Sequence, residues 1–138
     1  MKKIAVIIGG SGAIGQEVCK KIVGLGFITY CTYFSNGTKA ENVAKTLNGE
    51  LICKRCDVRN HKDVEQLFEE IVTQHQRIDV LVNCAGISGE SLFVNKTIDE
   101  WKNVIETNLF KMLLKQICLV YFIHAKQLYQ LCWSSIRV

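Results

Sequence analysis

The sequence predicts an α/β fold: a parallel sheet covered by helices, giving three αβα layers. Two observations carry that prediction. The apolar run Ile4-Ala5-Val6-Ile7-Ile8 is rich in β-branched residues and breaks abruptly on Gly9-Gly10, as a strand buried on both faces does. Further β-type segments then alternate with helical patterns along the chain, the spacing of βαβ units with right-handed crossovers.

Each element follows in order. After the glycine cluster Gly9-Gly10-Ser11-Gly12-Ala13-Ile14-Gly15, the segment Gln16 to Val23 sets Val18, Cys19, Ile22 and Val23 on one side at helical spacing. Phe27 to Phe34 is aromatic and β-branched and predicts the second strand, closed by Ser35-Asn36-Gly37. Lys39 to Leu47 predicts a short helix, and Asn48-Gly49 turns the chain into a third strand over Glu50 to Lys54. His61 to Gln76 is amphipathic, with Val64, Leu67, Phe68, Ile71 and Val72 along one stripe. Ile78 to Val82 predicts a fourth buried strand ending in Asn83-Cys84-Ala85-Gly86. A loop from Ile87 to Lys96 leads to Thr97-Ile98-Asp99-Glu100, a capping box opening a helix through Trp101, Val104 and Ile105 into Asn108. No repeat, linker or low-complexity tract interrupts the 138 residues, so a single domain is expected.

Composition narrows the classes. At 49% hydrophobic and 22% charged, the chain has an ordinary soluble composition. The net charge of +4 comes from Lys111, Lys115, Lys126 and Arg137, since no acid follows Glu106. Four dispersed cations on an apolar background make a poor phosphate track, so nucleic acid is not expected as a partner. The run Ile117–Ile123 falls well short of the ~18 apolar residues a bilayer span needs, and Lys2-Lys3 precedes too short an apolar run for a signal peptide. No membrane partner is expected. Seven cysteines, an odd number lying mostly within apolar runs, suit reduced thiols in the cytoplasm better than a disulfide framework. Cys53 and Cys56 form a lone Cys-x-x-Cys, and His61 and His75 do not stand at ligand spacing, so no metal site is expected.

Strand, glycine turn, helix is the context in which a loop holds a phosphate. Glycines let the backbone approach the anion, and the amides of the new helix's first turn point at it. A tight turn with no ligand is the plainer alternative, and a glycine cluster alone does not separate the two. The motifs taken together do. From Met1 to about Asn108 the chain resembles the short-chain dehydrogenase/reductase family, and within it the 3-oxoacyl-[acyl-carrier-protein] reductases and acetoacetyl-CoA reductases. Residues 109–138 form a divergent tail. Gly9 to Gly15 stands where the family has Thr-Gly-x-x-x-Gly-x-Gly, with Ile8 in place of the threonine and Ala13 in place of the middle glycine. The added methyl still permits close packing, whereas the lost hydroxyl removes a hydrogen bond that ties the loop to its neighbours.

The resemblance implies a Rossmann-like fold, incomplete at its C-terminal side, that binds a nicotinamide dinucleotide through Gly9, Ser11, Gly12, Ile14 and Gly15. Asp57 matches the family's aspartate that bonds the adenine amino group, and Val58 gives a backbone contact beside it. Asn83-Cys84-Ala85-Gly86 resembles the Asn-Asn-Ala-Gly signature, so that Asn83, Ala85 and Gly86 steady the sheet and border the ribose. Asn108 matches the active-site asparagine, whose backbone carbonyl holds a water of the proton relay. An asparagine inside a helix is otherwise unfavourable, which agrees with such a role.

Cofactor choice has a physical argument of its own. An acid on the ribose hydroxyls, about 20 residues after the glycine motif, selects NAD, and an arginine there suits the 2′-phosphate of NADP. This chain has Phe34-Ser35-Asn36-Gly37 in that region, with no carboxylate to repel a phosphate. Ser35 and Asn36 can donate to one, with Lys39 nearby, so NADP(H) is expected and NAD is the alternative.

The family's chemistry is hydride transfer to a carbonyl, with a tyrosine hydroxyl giving the proton and a lysine lowering its pKa. Its signature, Tyr-x-x-x-Lys, does not occur here: Tyr30, Tyr33, Tyr121 and Tyr129 are followed four places later by Phe34, Gly37, Ala125 and Trp133. Trp133-Ser134-Ser135-Ile136 is faintly similar to the stretch carrying the catalytic serine, which makes Ser135 its candidate equivalent. The expectation is therefore a truncated frame, shifted after Leu109 in one version. The resemblance implies an NAD(P)-dependent oxidoreductase that reduces ketones or 3-oxoacyl thioesters, as in fatty acid biosynthesis, and the alternative is a catalytically inactive dinucleotide-binding fragment or interaction module. Association through the tail helix is expected as well, since a half-covered sheet exposes apolar surface.

Overall fold

The structure is a computed structural model that describes residues 2–47, 50–88 and 96–109. The elements run β1 (Ile4–Ile8), α1 (Ala13–Gly24), β2 (Ile28–Tyr33), α2 (Gly37–Thr46), β3 (Leu51–Arg55), α3 (His61–His75) and β4 (Val80–Asn83), followed by a helix over 98–109, α4. The expectations for Asn48-Gly49, for most of the loop before Lys96, for the tail helix and for Ser135 fall outside the described residues.

The four strands form one parallel sheet in the order β3-β2-β1-β4. The chain winds outward from β1 through β2 to β3, then crosses back to place β4 on the other side of β1. That reversal puts α1 and α2 on one face and α3 on the other. Every residue of β1 is buried, which is why its five apolar residues show no alternation. One core packs Ile4, Val6, Ile8 and Tyr30 against Val64, Leu67, Phe68 and Ile71 of α3. The other packs Ala5, Ile7, Cys31 and Leu51 against Cys19 of α1 and Ala40 of α2.

Local chemistry sets the ends. Asn60 caps α3, its side chain accepting from the Lys62 amide at 3.1 Å. Gln76 closes α3 in the left-handed region, with φ of 57°. The capping box of α4 is formed from both sides: the Glu100 amide donates to Thr97 Oγ1 at 3.2 Å, and the Thr97 amide donates to Glu100 Oε2 at 2.8 Å.

Boundaries shift where apolar character and strand pairing part company. Ile78 is buried but precedes β4, because Asp79 ends the approach: its amide donates to the Ile4 carbonyl while its carboxylate accepts from the Ile4 amide at 2.8 Å. Arg77 holds that carboxylate as well. Helix α1 begins at Ala13 rather than Gln16, since its first turn carries exposed residues that give no periodic signal.

Candidate functional site

In a sheet whose strand order reverses beside β1, the crevice for ligands lies outside the carboxyl ends of the strands at that reversal. Gly9 follows β1 there, and Cys84-Ala85-Gly86 follows β4. The two segments touch. Gly9 has φ of 72°, and a Cβ on it would stand 2.6 Å from the Ala85 nitrogen. A Cβ on Gly15 would stand 2.6 Å from the Gly10 Cα, and one on Gly10 would stand 2.5 Å from the Cys31 sulfur. Close contact excludes a side chain at all three positions, against backbone at Gly9 and Gly15 and against a buried thiol at Gly10, and at Gly9 the left-handed backbone adds a second requirement for glycine.

The loop is held without the threonine hydroxyl whose place Ile8 takes. The Gly9 amide donates instead to Thr32 Oγ1, from the neighbouring strand β2, at 3.0 Å. Nothing in the glycine motif points to Thr32; its one signal in the sequence is a β-branched hydroxyl near the end of the strand beside β1, where it is buried. The Gly12 amide donates to the Gly9 carbonyl at 3.1 Å, and Gln16 Nε2 donates to the Ser11 carbonyl at 2.8 Å. Gly12 caps α1 with no side chain, so the first-turn amides of Ala13, Ile14 and Gly15 keep no protein acceptor from the cap. No acid stands in that first turn. An anion brought to this end meets open donors and the positive end of the helix. Ala13 is exposed, so its methyl costs nothing in packing, and Ile14 is 76% exposed at the loop's outer edge.

Beside the loop, Asn83 Oδ1 accepts from the Ala85 amide at 3.0 Å and shapes the turn that receives Gly9. Asn108 reaches over from α4. Its Nδ2 donates to the Ile87 carbonyl at 2.9 Å and its Oδ1 accepts from the Ile87 amide at 3.2 Å, a two-point amide pair. A Cβ on Gly86 would stand 3.1 Å from Asn108 Oδ1. The side chain of Asn108 thus fixes the segment after β4.

At the end of β3, the Asp57 carboxylate accepts from the Arg59 amide at 3.0 Å, from Arg59 Nε at 2.9 Å and from Arg59 Nη2 at 2.7 Å. The Arg59 guanidinium holds the Asp57 carboxyl below the usual aspartate range, against a partial opposing effect of burial. Oδ1 takes two of those bonds and Oδ2 one, which leaves Oδ2 an acceptor position for an outside donor. Val58 packs its side chain against the α3-face core. Ser35 and Asn36 follow β2 at the same edge, and Asn36 lines a groove of about 680 Å³ with Ser11, Gly12, Gln16 and Lys39. Tyr30 belongs to the core instead: its hydroxyl donates to Gln74 Oε1 at 3.0 Å and lies 2.8 Å from His75 Nε2. Among the described residues, no group of three or more His, Cys, Asp or Glu could hold a metal ion. The five described cysteines are free thiols, and burial, with Asp63 and Asp57 nearby, pushes Cys56 up to about 11.

The short chain dehydrogenase family model matches residues 3–127. The chain belongs to that family. It is 31% identical over 112 residues to 3-oxoacyl-[acyl-carrier-protein] reductase FabG of Staphylococcus epidermidis, covering 79% of this chain and 46% of the relative. It is 30% identical over 112 residues to acetoacetyl-CoA reductase of Acinetobacter sp., covering 78% and 45%. The chain spans about half the length of the curated relatives it matches. Among solved structures, a short chain dehydrogenase from Bacillus anthracis superposes with a TM-score of 0.81 at 24% identity, over 89% of this chain and 52% of that one. A variant of actinorhodin polyketide ketoreductase with NADPH gives 0.79 at 25% identity, over 91% and 49%. The Rossmann-like αβα architecture of this chain is thus common to its structural neighbours. No helix among the described residues is long and apolar enough to cross a membrane.

Proposed function

We propose that these residues form the nucleotide-binding part of an NADP(H)-dependent oxidoreductase that reduces a ketone or 3-oxoacyl thioester. The observation that carries the reading is the glycine cradle: three positions where a Cβ would collide, opening onto first-turn amides with no capping side chain. Such a cradle fits the pyrophosphate of a dinucleotide. Ser11, Gly12, Ile14 and Gly15 would hold it, Asp57 would accept from the adenine amino group, and Asn83, Ala85 and Gly86 would border the ribose. The bound cofactor supplies a hydride. The chain's own part is to seat the nucleotide, keep the segment after β4 in register through Asn108, and exclude water from the crevice. NADPH in the ketoreductase structure, and the reductase names of the relatives, support the choice of cofactor and the carbonyl substrate class.

A second reading has its own observation. None of the four tyrosines is followed four places later by lysine, so the proton donor of the family's reaction has no counterpart in the 138 residues. On this reading the chain is a dinucleotide-binding module without turnover, acting through association with itself or another protein. The free thiols among the described residues suit a reducing cytoplasm. Titrating the chain with NADPH and NADH by fluorescence, then assaying reduction of acetoacetyl-CoA, separates the readings. Saturable binding with turnover supports the oxidoreductase, and binding without turnover supports the module. No binding of either nucleotide would defeat both.

A further inference from the structure

The cofactor reading leaves one cluster at the sheet's carboxyl edge unused. Phe34 follows β2 with 46% of its surface exposed, and the guanidinium carbons of Arg55 and Arg59 lie 5.3 Å and 5.0 Å from its ring centroid. The two arginines differ in what occupies them. Arg59 is committed to both oxygens of Asp57 and donates to Asn103 Oδ1 at 2.8 Å. Arg55 is exposed and makes no ion pair among the described residues. It is the last residue of β3 and shares pleat parity with Leu51 and Cys53, which pack on the α1–α2 face. That parity assigns it to the α1–α2 face of the sheet, the same face as the groove lined by Ser11, Gly12, Asn36 and Lys39, outside whose lining Arg55 itself stands.

We propose that Arg55 is the residue that selects a 2′-phosphorylated nucleotide, pairing with the ribose phosphate while the Phe34 ring holds its guanidinium at the mouth of the site. This rests on the dinucleotide reading and adds the source of its selectivity. The turn after β2, where such a cation is expected, offers Ser35-Asn36-Gly37 and no arginine. A planar guanidinium meets a phosphate through two parallel bonds, which a flexible ammonium does not reproduce. Stacking on an aromatic face fixes that fork in advance and lowers the ordering cost of the pairing.

The test is titration of the full chain with NADPH and NADH at one ionic strength, for the native protein, Arg55→Gln, Arg55→Lys and Lys39→Gln. The native chain is expected to prefer NADPH. Arg55→Gln is expected to weaken NADPH by about 10- to 100-fold while leaving NADH nearly unchanged, the loss of one charge-assisted contact. Unchanged NADH binding also reports that the variant is folded. Arg55→Lys should recover only part of the loss. Adenosine 2′,5′-bisphosphate should compete with NADPH on the native chain, and inorganic phosphate at equal concentration should not. The proposal is overturned if Arg55→Gln weakens both nucleotides alike, if Lys39→Gln rather than Arg55→Gln erases the preference, or if inorganic phosphate competes as well as the bisphosphate. A native chain that binds neither nucleotide overturns this proposal together with the dinucleotide reading, a result distinct from the others.

Discussion

Gly9, Gly10 and Gly15 show how single atoms decide the site. A methyl on Gly9 meets the Ala85 backbone at 2.6 Å and also demands an L-residue at φ of 72°, a strain of about 1–2 kcal/mol before any clash is counted. Gly9→Ala is therefore expected to abolish nucleotide binding and lower the melting temperature together. Gly12 has only an ordinary 3.4 Å contact, so Gly12→Ala should leave stability nearly unchanged, and comparing the two melting curves checks the distinction. Charge at Asp57 has a pH signature. Arg59 lowers its folded pKa beneath the ordinary 3.8, so its contribution is present above that value and is lost as pH falls through the folded one. Asp57 and Arg59 are partly exposed, which limits the pair to about 1 kcal/mol. Stability measured by urea melts between pH 6 and pH 2, a range of about four units chosen to bracket carboxylate titration, should fall less steeply in Asp57→Asn. The sequence showed Asp57 but not its partner, because an arginine two residues on in a turn carries no periodic signal.

Elements formed where local preference and burial agreed, and their ends moved where they did not. Helix α3 was legible to within a residue of its end because Val64, Leu67, Phe68 and Ile71 are all buried on one stripe; its Asn60 cap carries no periodic signal. Leu67→Ala is expected to cost about 2–5 kcal/mol by leaving a cavity under β1 and β2. Gln76, by contrast, closes that helix at positive φ, a position that glycine adopts freely. Gln76→Gly should raise stability by roughly 0.5–1 kcal/mol, read as a higher urea midpoint at constant slope. The Phe27–Phe34 stretch reads as eight strand residues, yet β2 holds six. Phe27 packs under α1 and Phe34 lies beyond the ladder beneath two guanidiniums, so aromatic character there served contacts outside strand pairing.

At the scale of the molecule, the sheet order β3-β2-β1-β4 explains why residues far apart in sequence share one edge. Alternation of strands and helices made the αβα layers legible, and the reversal at β1 follows from the crossover through α3. The pairing of Gly9 with Ala85, and of Asn108 with Ile87, was legible only as two motifs known to go together. Their contact depends on a strand neighbour that sequence spacing does not specify. Asp79 shows the same limit: its carboxylate anchors the first amide of β1 across the sheet, and nothing near it in sequence announces that bond. On this reading the glycine loop and the turns after β3 and β4 make one dinucleotide seat. Amide NMR shifts recorded while NADPH is added to the full chain locate that seat. Saturable shifts are expected at Gly10 to Gly15, Val58 and Ala85 to Gly86, with the far ends of α1 and α3 unmoved. Saturation with those amides unmoved, or no saturation at all, would rule the shared seat out.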